Sequence, residues 1–261
     1  MAITLRSRRE IELMRRAGAV VADVLSKLQE IAAPGVTTAD LDEVALRMTR
    51  GAGADALFKG VRSPQARMPF PGAICASVNE QVVHGIPSRE AVLRQGDILS
   101  IDFGVRLDGY CGDAAVTVPI GEVSGDERRL IEVTRQVLEI AIARAGPAVR
   151  WSQVAGMMQR HAESAGFSVV RDFVGHGIGT KMHEDPKVPN FVSDELLAED
   201  IVLTEGMVLA VEPMINAGGS AVRTLGNGWT VVTRDGKSSA HFEHTIAVVG
   251  GGCEVLTARP G

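Results

Sequence analysis

Four carboxylates, Asp102, Asp113, Glu212 and Glu243, stand within or at the ends of apolar, strand-forming runs, and this placement constrains the chain more than any other feature. Asp102 ends Ile98-Leu99-Ser100-Ile101, Glu212 follows Val208-Leu209-Ala210-Val211, and Glu243 lies between Phe242 and Thr245-Ile246-Ala247-Val248-Val249. Asp102 and Asp113 flank Leu107-Asp108-Gly109, a hairpin turn signal. Whichever two of these residues form the turn, strand parity sets both carboxylates on one face. Directly opposed residues would hold their Cβ atoms about 4.5–5.5 Å apart, where like charges repel. Taken singly, each acid reads as an ordinary helix cap or surface charge. Together they carry about four negative charges, which two divalent cations would neutralise. Oxygen-rich ligation with a single imidazole suits Mn, Fe, Co or Zn better than a structural zinc, which prefers thiolates. His176, in the Gly-rich turn Gly175-His176-Gly177-Ile178-Gly179, is the imidazole candidate.

The rest of the chain supplies a scaffold that repeats. Ser7-Arg8-Arg9-Glu10 and Ser124-Gly125-Asp126-Glu127 read as capping boxes, each opening a helix. Ile11, Met14, Val21, Leu25 and Leu28 carry the first helix to Pro34-Gly35, and Leu130, Val133, Val137, Leu138 and Ala141 the third. Further helices are expected after Thr38 and over about Ser152 to Ser164. The segment Arg50 to Pro71 reads as loop. Strands are expected at 73–78, 97–103, 167–174, 207–215, 229–234 and 242–249. Helices followed by strands therefore occur twice. Val83-His84-Gly85-Ile86-Pro87 echoes the turn around His176, and Gly96 precedes Asp102 by the same six positions as Gly206 precedes Glu212. This pattern points to a divergent internal duplication around a shared cleft, an α+β arrangement with strands inside and helices outside.

Composition narrows the class. The 261 residues are 45% hydrophobic and 23% charged, with a net charge of −5, which gives no electrostatic case for nucleic acid or an anionic membrane. No run reaches the roughly 18–20 apolar residues of a membrane span, and Met1 to Glu10 has no signal-peptide core. Cys75, Cys111 and Cys253 form no CxxC pair and fit a reducing compartment, so a cytoplasmic protein without a disulfide framework is expected. Other chemistry-bearing residues read as structural. Cys111 and His241 share strand parity with Asp113 and Glu243 but are weak ligand candidates. His161 should be a solvated helix residue, His244 should face away from Glu243, and Met157-Met158 should pack in the core. Gly177 and Gly179 lack the strand–turn–helix context of a nucleotide loop.

Several segments resemble the type I methionine aminopeptidases, in family order and over nearly the whole chain to about Val249. They are Val78-Asn79-Glu80 with His84-Gly85-Ile86-Pro87, Ser100-Ile101-Asp102 with Gly112-Asp113, and Gly175-His176-Gly177-Ile178-Gly179. His183-Glu184-Asp185-Pro186, Gly206-Met207-Val208 with Val211-Glu212-Pro213, and Phe242-Glu243-His244-Thr245 complete the set. The resemblance implies a pita-bread fold, with pseudo-two-fold halves of about 1–122 and 123–261 forming one catalytic domain and a dinuclear centre in the central cleft. It implies that Asp102 chelates one ion, that His176 and Glu212 hold the other, and that Asp113 and Glu243 bridge. A metal-activated water would attack the scissile carbonyl, with Glu212 as proton shuttle. His183 would hydrogen-bond the carbonyl or its tetrahedral intermediate, and His84 would contact the leaving amide nitrogen.

The implied reaction removes the initiator methionine from nascent polypeptides whose second residue is small. Cys75 and Trp229 match positions of the methionine pocket. The chain departs from the family at Met182, where an aromatic residue is common, and over Lys59 to Phe70, which lacks the usual tyrosines. N-terminal peptides are the expected partners, with the ribosome a further candidate and the protein itself a monomer. Two alternatives share the fold. A proline-directed aminopeptidase would carry a sizeable domain before the helix that here begins at Ser7. A non-catalytic binding protein would have lost ligands. The 36 positions between His176 and Glu212 leave no room for the helical insertion of the type II enzymes.

Overall fold

The computed structural model describes residues 3–258; Met1 and Ala2, which the expected domain and the leader reading include, lie outside them, as do residues 259–261. Five helices, α1 (Arg8–Ile31), α2 (Thr38–Gly51), α3 (Gly125–Arg144), α4 (Trp151–Ser164) and α5 (Asp194–Ala198), surround a nine-stranded sheet. The main path of the sheet runs Asp55–Ala56, Ile98–Leu107, Tyr110–Pro119, Glu243–Val249, Val208–Val211, Gly175–Gly177, Glu184–Val188. Cys75–Val78 pairs with Ile98–Leu107, and Gly252–Val255 with Glu243–Val249.

The period-2 pattern divides the sheet between two environments. Ile101, Phe103, Val116, Leu209, Val211, Ile246 and Val248 point to the face covered by α1, α2, α3 and α4 and join Leu25, Leu41, Val137 and Val154 in one core cluster. Asp102, Asp113 and Glu243 alternate with them and point to the other face. Burial on the helical side fixes the register, because a one-residue slip would drive the acids into that core.

The capping chemistry differs in detail from the sequence reading. Ser7 and Glu10 close a full capping box on α1. At α3, Ser124 accepts from the Glu127 N–H at 3.1 Å, but the second half of the expected box does not form. The Glu127 carboxylate instead accepts from the hydroxyls of Ser124 and Ser238, the latter at 3.0 Å. A full box stands at Thr37 and Asp40, where none was anticipated. The expected strand over 207–215 is two strands, Val208–Val211 and Met214–Asn216. Pro213, which has no N–H for a ladder, parts them just after Glu212. Only Ser168–Val169 of the 167–174 segment is strand, the 50–71 loop contains Asp55–Ala56, and the five-residue α5 is too short to show periodicity.

The duplication is visible in equivalent hydrogen bonds. Leu93 N–H bonds Val36 O and Leu203 N–H bonds Val149 O, both at 2.9 Å. Thr38 N–H to Ala91 O at 3.0 Å repeats as Trp151 N–H to Ile201 O at 2.8 Å. Gly96 N–H to Ile120 O repeats as Gly206 N–H to Val248 O, and both glycines have φ 93°, which a side chain would strain. The two halves join where Tyr110–Pro119 pairs with Glu243–Val249. Among the described residues no helix is long and apolar enough to cross a membrane.

Helix α1 lies close enough to the hairpin and to the C-terminal turn that backbone meets backbone. A Cβ on Gly18 would fall 2.1 Å from the Leu256 carbonyl oxygen, and one on Gly112 would fall 2.8 Å from the Gly18 nitrogen. Alanine gains about 1 kcal/mol over glycine in a helix, whereas overpacking costs about 1–3 kcal/mol and more where backbone must move. Gly18→Ala should therefore lower the urea midpoint; an unchanged or raised midpoint would contradict the close approach.

Candidate metal centre

The central strands align the acids in adjacent rows. Asp102 pairs with Cys75 on one side and Ala115 on the other, and Ala115 pairs with Glu243. The neighbouring row places Asp113 opposite Gly104. The turn is Asp108-Gly109, both residues at positive φ, so Asp102 and Asp113 share a face as parity requires but sit diagonally rather than opposed. Gly104 and Ala115, which the sequence reading passed over, create the room between them. A Cβ on Gly104 would lie 3.0 Å from Asp113 Oδ1.

From the second half, His176 pairs with Ala210 beside the Glu243–Val249 strand. Its Nδ1 lies 2.9 Å from Gly177 O, so the Nδ1–H donates to that carbonyl and Nε2 is left as an acceptor aimed at the acids. Glu212 Oε1 is 3.5 Å from this Nε2. Ligand atoms of Asp113, His176 and Glu243 lie within 4.8 Å of one another.

The electrostatics identify what the cluster lacks. Asp102 Oδ1, Asp113 Oδ1 and Glu243 Oε1 are buried without a hydrogen-bond partner, and Asp113 and Glu243 are each 2% exposed. Burial pushes the Asp102 carboxyl up to about 7. Burial, reinforced by neighbouring carboxylates, holds Asp113, Glu212 and Glu243 well above the usual range. Burial, with His183 nearby, lowers His176 and His84 to about 4, so both rings are neutral near pH 7. A neutral imidazole and four crowded carboxylates, three of them with an orphaned oxygen, are a donor set that fits divalent cations.

All ten site residues expected from the sequence line one cavity of about 240 Å³. Asp102, Asp113, Glu212, Glu243 and His176 occupy one part with His84 and His183, while Cys75, Met182 and Trp229 form an apolar part. Phe58, Val61 and Phe70 complete the apolar wall. The sequence reading tied the stretch Lys59 to Phe70 to the pocket without singling out Val61 or Phe70, and missed Phe58, because the segment is aperiodic. The Phe70 and Trp229 rings meet edge to face at 5.3 Å, and the Trp229 indole N–H donates to Met68 O at 2.9 Å. His84 has φ 57°, a strained conformation for a non-glycine residue, and its ring meets Phe173 edge-on at 5.6 Å. The His183 ring lies 4.3 Å from that of His176. An outer cleft of about 760 Å³ shares His84, His176, His183 and Glu212 with the cavity and continues past Phe173, Arg6, Lys181 and Lys187.

The residues set aside earlier lie elsewhere. Cys111 packs with Ile11, Met14 and Ile178. His241 is buried, with Nε2 unpartnered and its imidazole lowered by burial to about 3. His244 Nδ1 pairs with Thr257 Oγ1 at 2.9 Å. Met158 is in the core, while Met157 is only half-buried. His161, expected to be solvated, is half-buried and bonded to Gln136 at 2.9 Å, because α3 packs along α4.

Comparison with known proteins agrees with this geometry. The model of metallopeptidase family M24 matches residues 12–249. The chain is 46% identical to a methionine aminopeptidase of Clostridium acetobutylicum over 255 residues, 98% of each chain. It is 45% identical to methionine aminopeptidase 1 of Bacillus subtilis, covering 98% of this chain and 99% of that one. The crystal structure of a methionine aminopeptidase from Thermotoga maritima superposes with a TM-score of 0.92 at 41% identity, covering 99% and 100% of the two chains. A prolidase from Pyrococcus furiosus, 18% identical with a TM-score of 0.75, shares the fold over 98% of this chain and 66% of its own. A cleft lined by carboxylates and imidazoles, set in a duplicated pita-bread scaffold, thus accompanies full-length similarity, and the chain belongs to metallopeptidase family M24, among the methionine aminopeptidases.

Proposed function

We propose that this chain removes the initiator methionine from nascent polypeptides whose second residue is small. The observation that carries the reading is the junction, within one 240 Å³ cavity, of uncompensated carboxylates with an apolar wall. That volume is below the range of about 300–1,000 Å³ typical of whole-ligand pockets and suits one side chain. In this reading Asp102, Asp113, His176, Glu212 and Glu243 would hold two divalent ions, Co, Mn, Fe or Zn. When bound, such ions supply a nucleophile from water near neutral pH and polarise a carbonyl.

The protein's own groups then do the following. Phe70, Cys75, Met182 and Trp229 receive the methionine side chain, where thioether and ring contacts favour sulfur. His183 donates to the scissile carbonyl oxygen as charge develops on it, and His84 contacts the amide nitrogen that leaves. Glu212 accepts the proton of the attacking water and returns it to that nitrogen. His84, His176 and His183 stand where the cavity meets the outer cleft, so a bulky second residue would collide there. The reading takes 1–261 as one catalytic domain with halves of about 1–122 and 123–261. It places a monomer in the cytoplasm, acting on N-terminal peptides, with the ribosome as a further partner.

Three measurements test the site. Mn- or Co-loaded protein should release methionine from Met-Ala-Ser, and release from Met-Lys-Ser should be lower by at least about tenfold. Cleavage chiefly of Ala-Pro-Ser would favour a proline-directed peptidase. Met182→Phe should change the ratio of kcat/KM for Met-Ala-Ser against norleucyl-Ala-Ser; an unchanged ratio would remove Met182 from the pocket's selectivity.

The third concerns pH. In metal-free protein the lowered histidines and raised acids oppose each other up to pH 6.5, the ordinary histidine value. Above it the histidines are neutral in both folded and unfolded states. The raised acids, with Asp102 at about 7, still bind more protons in the folded state. Stability should therefore fall as pH rises from 6.5. A divalent ion at a hundredfold excess over its Kd adds about 2.7 kcal/mol, or about 5–10 °C in Tm at this size. At one fixed ion concentration the increment should be larger at pH 8 than at pH 6.5, because fewer protons compete for the carboxylates. Equal increments at the two pH values would count against ligation by these carboxylates.

A further inference from the structure

We propose that Arg6 is a positioning residue for His183, an assignment that rests on the peptidase reading and deepens it. The segment ahead of α1 is tied down by the Arg6 N–H, which donates to Gly206 O at 2.7 Å. The Arg6 side chain is only 7% exposed and runs along the Gly179 backbone. A Cβ on Gly179 would fall 2.0 Å from Nη2 and 2.5 Å from Cζ of Arg6, so a glycine is required for the guanidinium to lie there. Nη2 donates to Glu184 Oε2, and Nη1 lies 3.6 Å from Glu10.

Glu184 is the clasp of a turn. Its other oxygen accepts the Lys181 N–H at 3.0 Å and the Thr180 hydroxyl at 3.4 Å. The residues enclosed between these donors and the acceptor, Met182 and His183, are both walls of the cavity, and His183 also borders the outer cleft. Residues 179–183 belong to no strand, so this carboxylate supplies hydrogen bonds that a ladder would otherwise provide. The Glu184 side chain is itself only 15% exposed, and the buried guanidinium is its cationic partner. Arg6 therefore fixes Glu184, Glu184 fixes the turn, and the turn sets where the His183 imidazole stands. Thr4 lines the outer cleft beside Arg6, so this N-terminal segment is also part of the substrate's path.

The experiment compares wild type, Arg6→Ala, Arg6→Lys and Gly179→Ala. Its readouts are kcat and KM on Met-Ala-Ser, Mn affinity by calorimetry, and the imidazole NMR signals of His183 and His161. Misplacement of a reacting group by about an ångström costs on the order of 100-fold. Arg6→Ala should therefore lower kcat by about 10- to 100-fold with Mn affinity unchanged, and shift the His183 signal but not that of His161. Arg6→Lys keeps the charge without the planar fork and should recover much of the loss. Gly179→Ala displaces the guanidinium without removing any charged group from the protein, so it should reproduce the loss and decides the question if Arg6→Ala does not fold. Wild-type kcat in both Arg6→Ala and Gly179→Ala would overturn the assignment. So would a loss of kcat matched by a proportional loss of Mn affinity. Wild type that releases no methionine would instead sink the peptidase reading, and the role of Arg6 with it.

Discussion

Carboxylates packed together out of water repel one another, and the central sheet is organised around that repulsion. Asp102, Asp113, Glu212 and Glu243 come from four separate segments: the first two and Glu243 are fixed by pairing on strands whose opposite face is buried under helices, and Glu212 directly follows such a strand. The helical core supplies the favourable energy, since the acids alone would drive the strands apart. A cation among them reverses the sign of the interaction. The surrounding side chains then make sense as accommodation: Gly104 and Ala115 leave space, and the His176 ring is held by Gly177 O in the tautomer that offers Nε2.

What was legible in the sequence followed the rules of alternation. The acids on apolar runs, the hairpin turn and the repeated Gly-to-acid spacing placed the central strands, and the helical periodicity placed α1 to α4. Methionine aminopeptidase family membership, as read from the motifs around His84, Asp102, His176 and Glu243, agrees with the similarity found across the full chain. The less legible parts are those without a period. Phe58, Val61 and Phe70 reach the cavity from a loop whose course is set by a distant residue, through the Trp229 indole and the Met68 carbonyl. Glu127 had the spacing of a capping box, but Ser238, remote in sequence, captured its carboxylate. Pattern reading sees local competition and misses a competitor from another segment.

The Arg6–Glu184 contact belongs to the same class. Nothing near Arg6 in the chain marks it, because its meaning arises only when Gly179 and Glu184 are brought beneath it. Buried ion pairs of this kind contribute little net stability, since desolvation offsets attraction. Their effect lies in fixing geometry, and here the geometry fixed is that of a turn between two walls of the cleft.

The duplicated backbone has a consequence of its own. Two halves related by a rotation axis would build a site that looks alike from either end. A polypeptide has a direction, and such a site could not tell an amino terminus from the chain that follows it. The divergence of the halves removes the ambiguity. Phe58, Phe70 and Cys75 from the first half, joined by Met182 and Trp229 from the second, close one end in apolar side chains, while His84, His176, His183 and Glu212 face the open cleft. In the proposed reading a symmetric scaffold has thus become a one-way socket, with an end that receives a side chain and an end that lets the rest of the molecule leave.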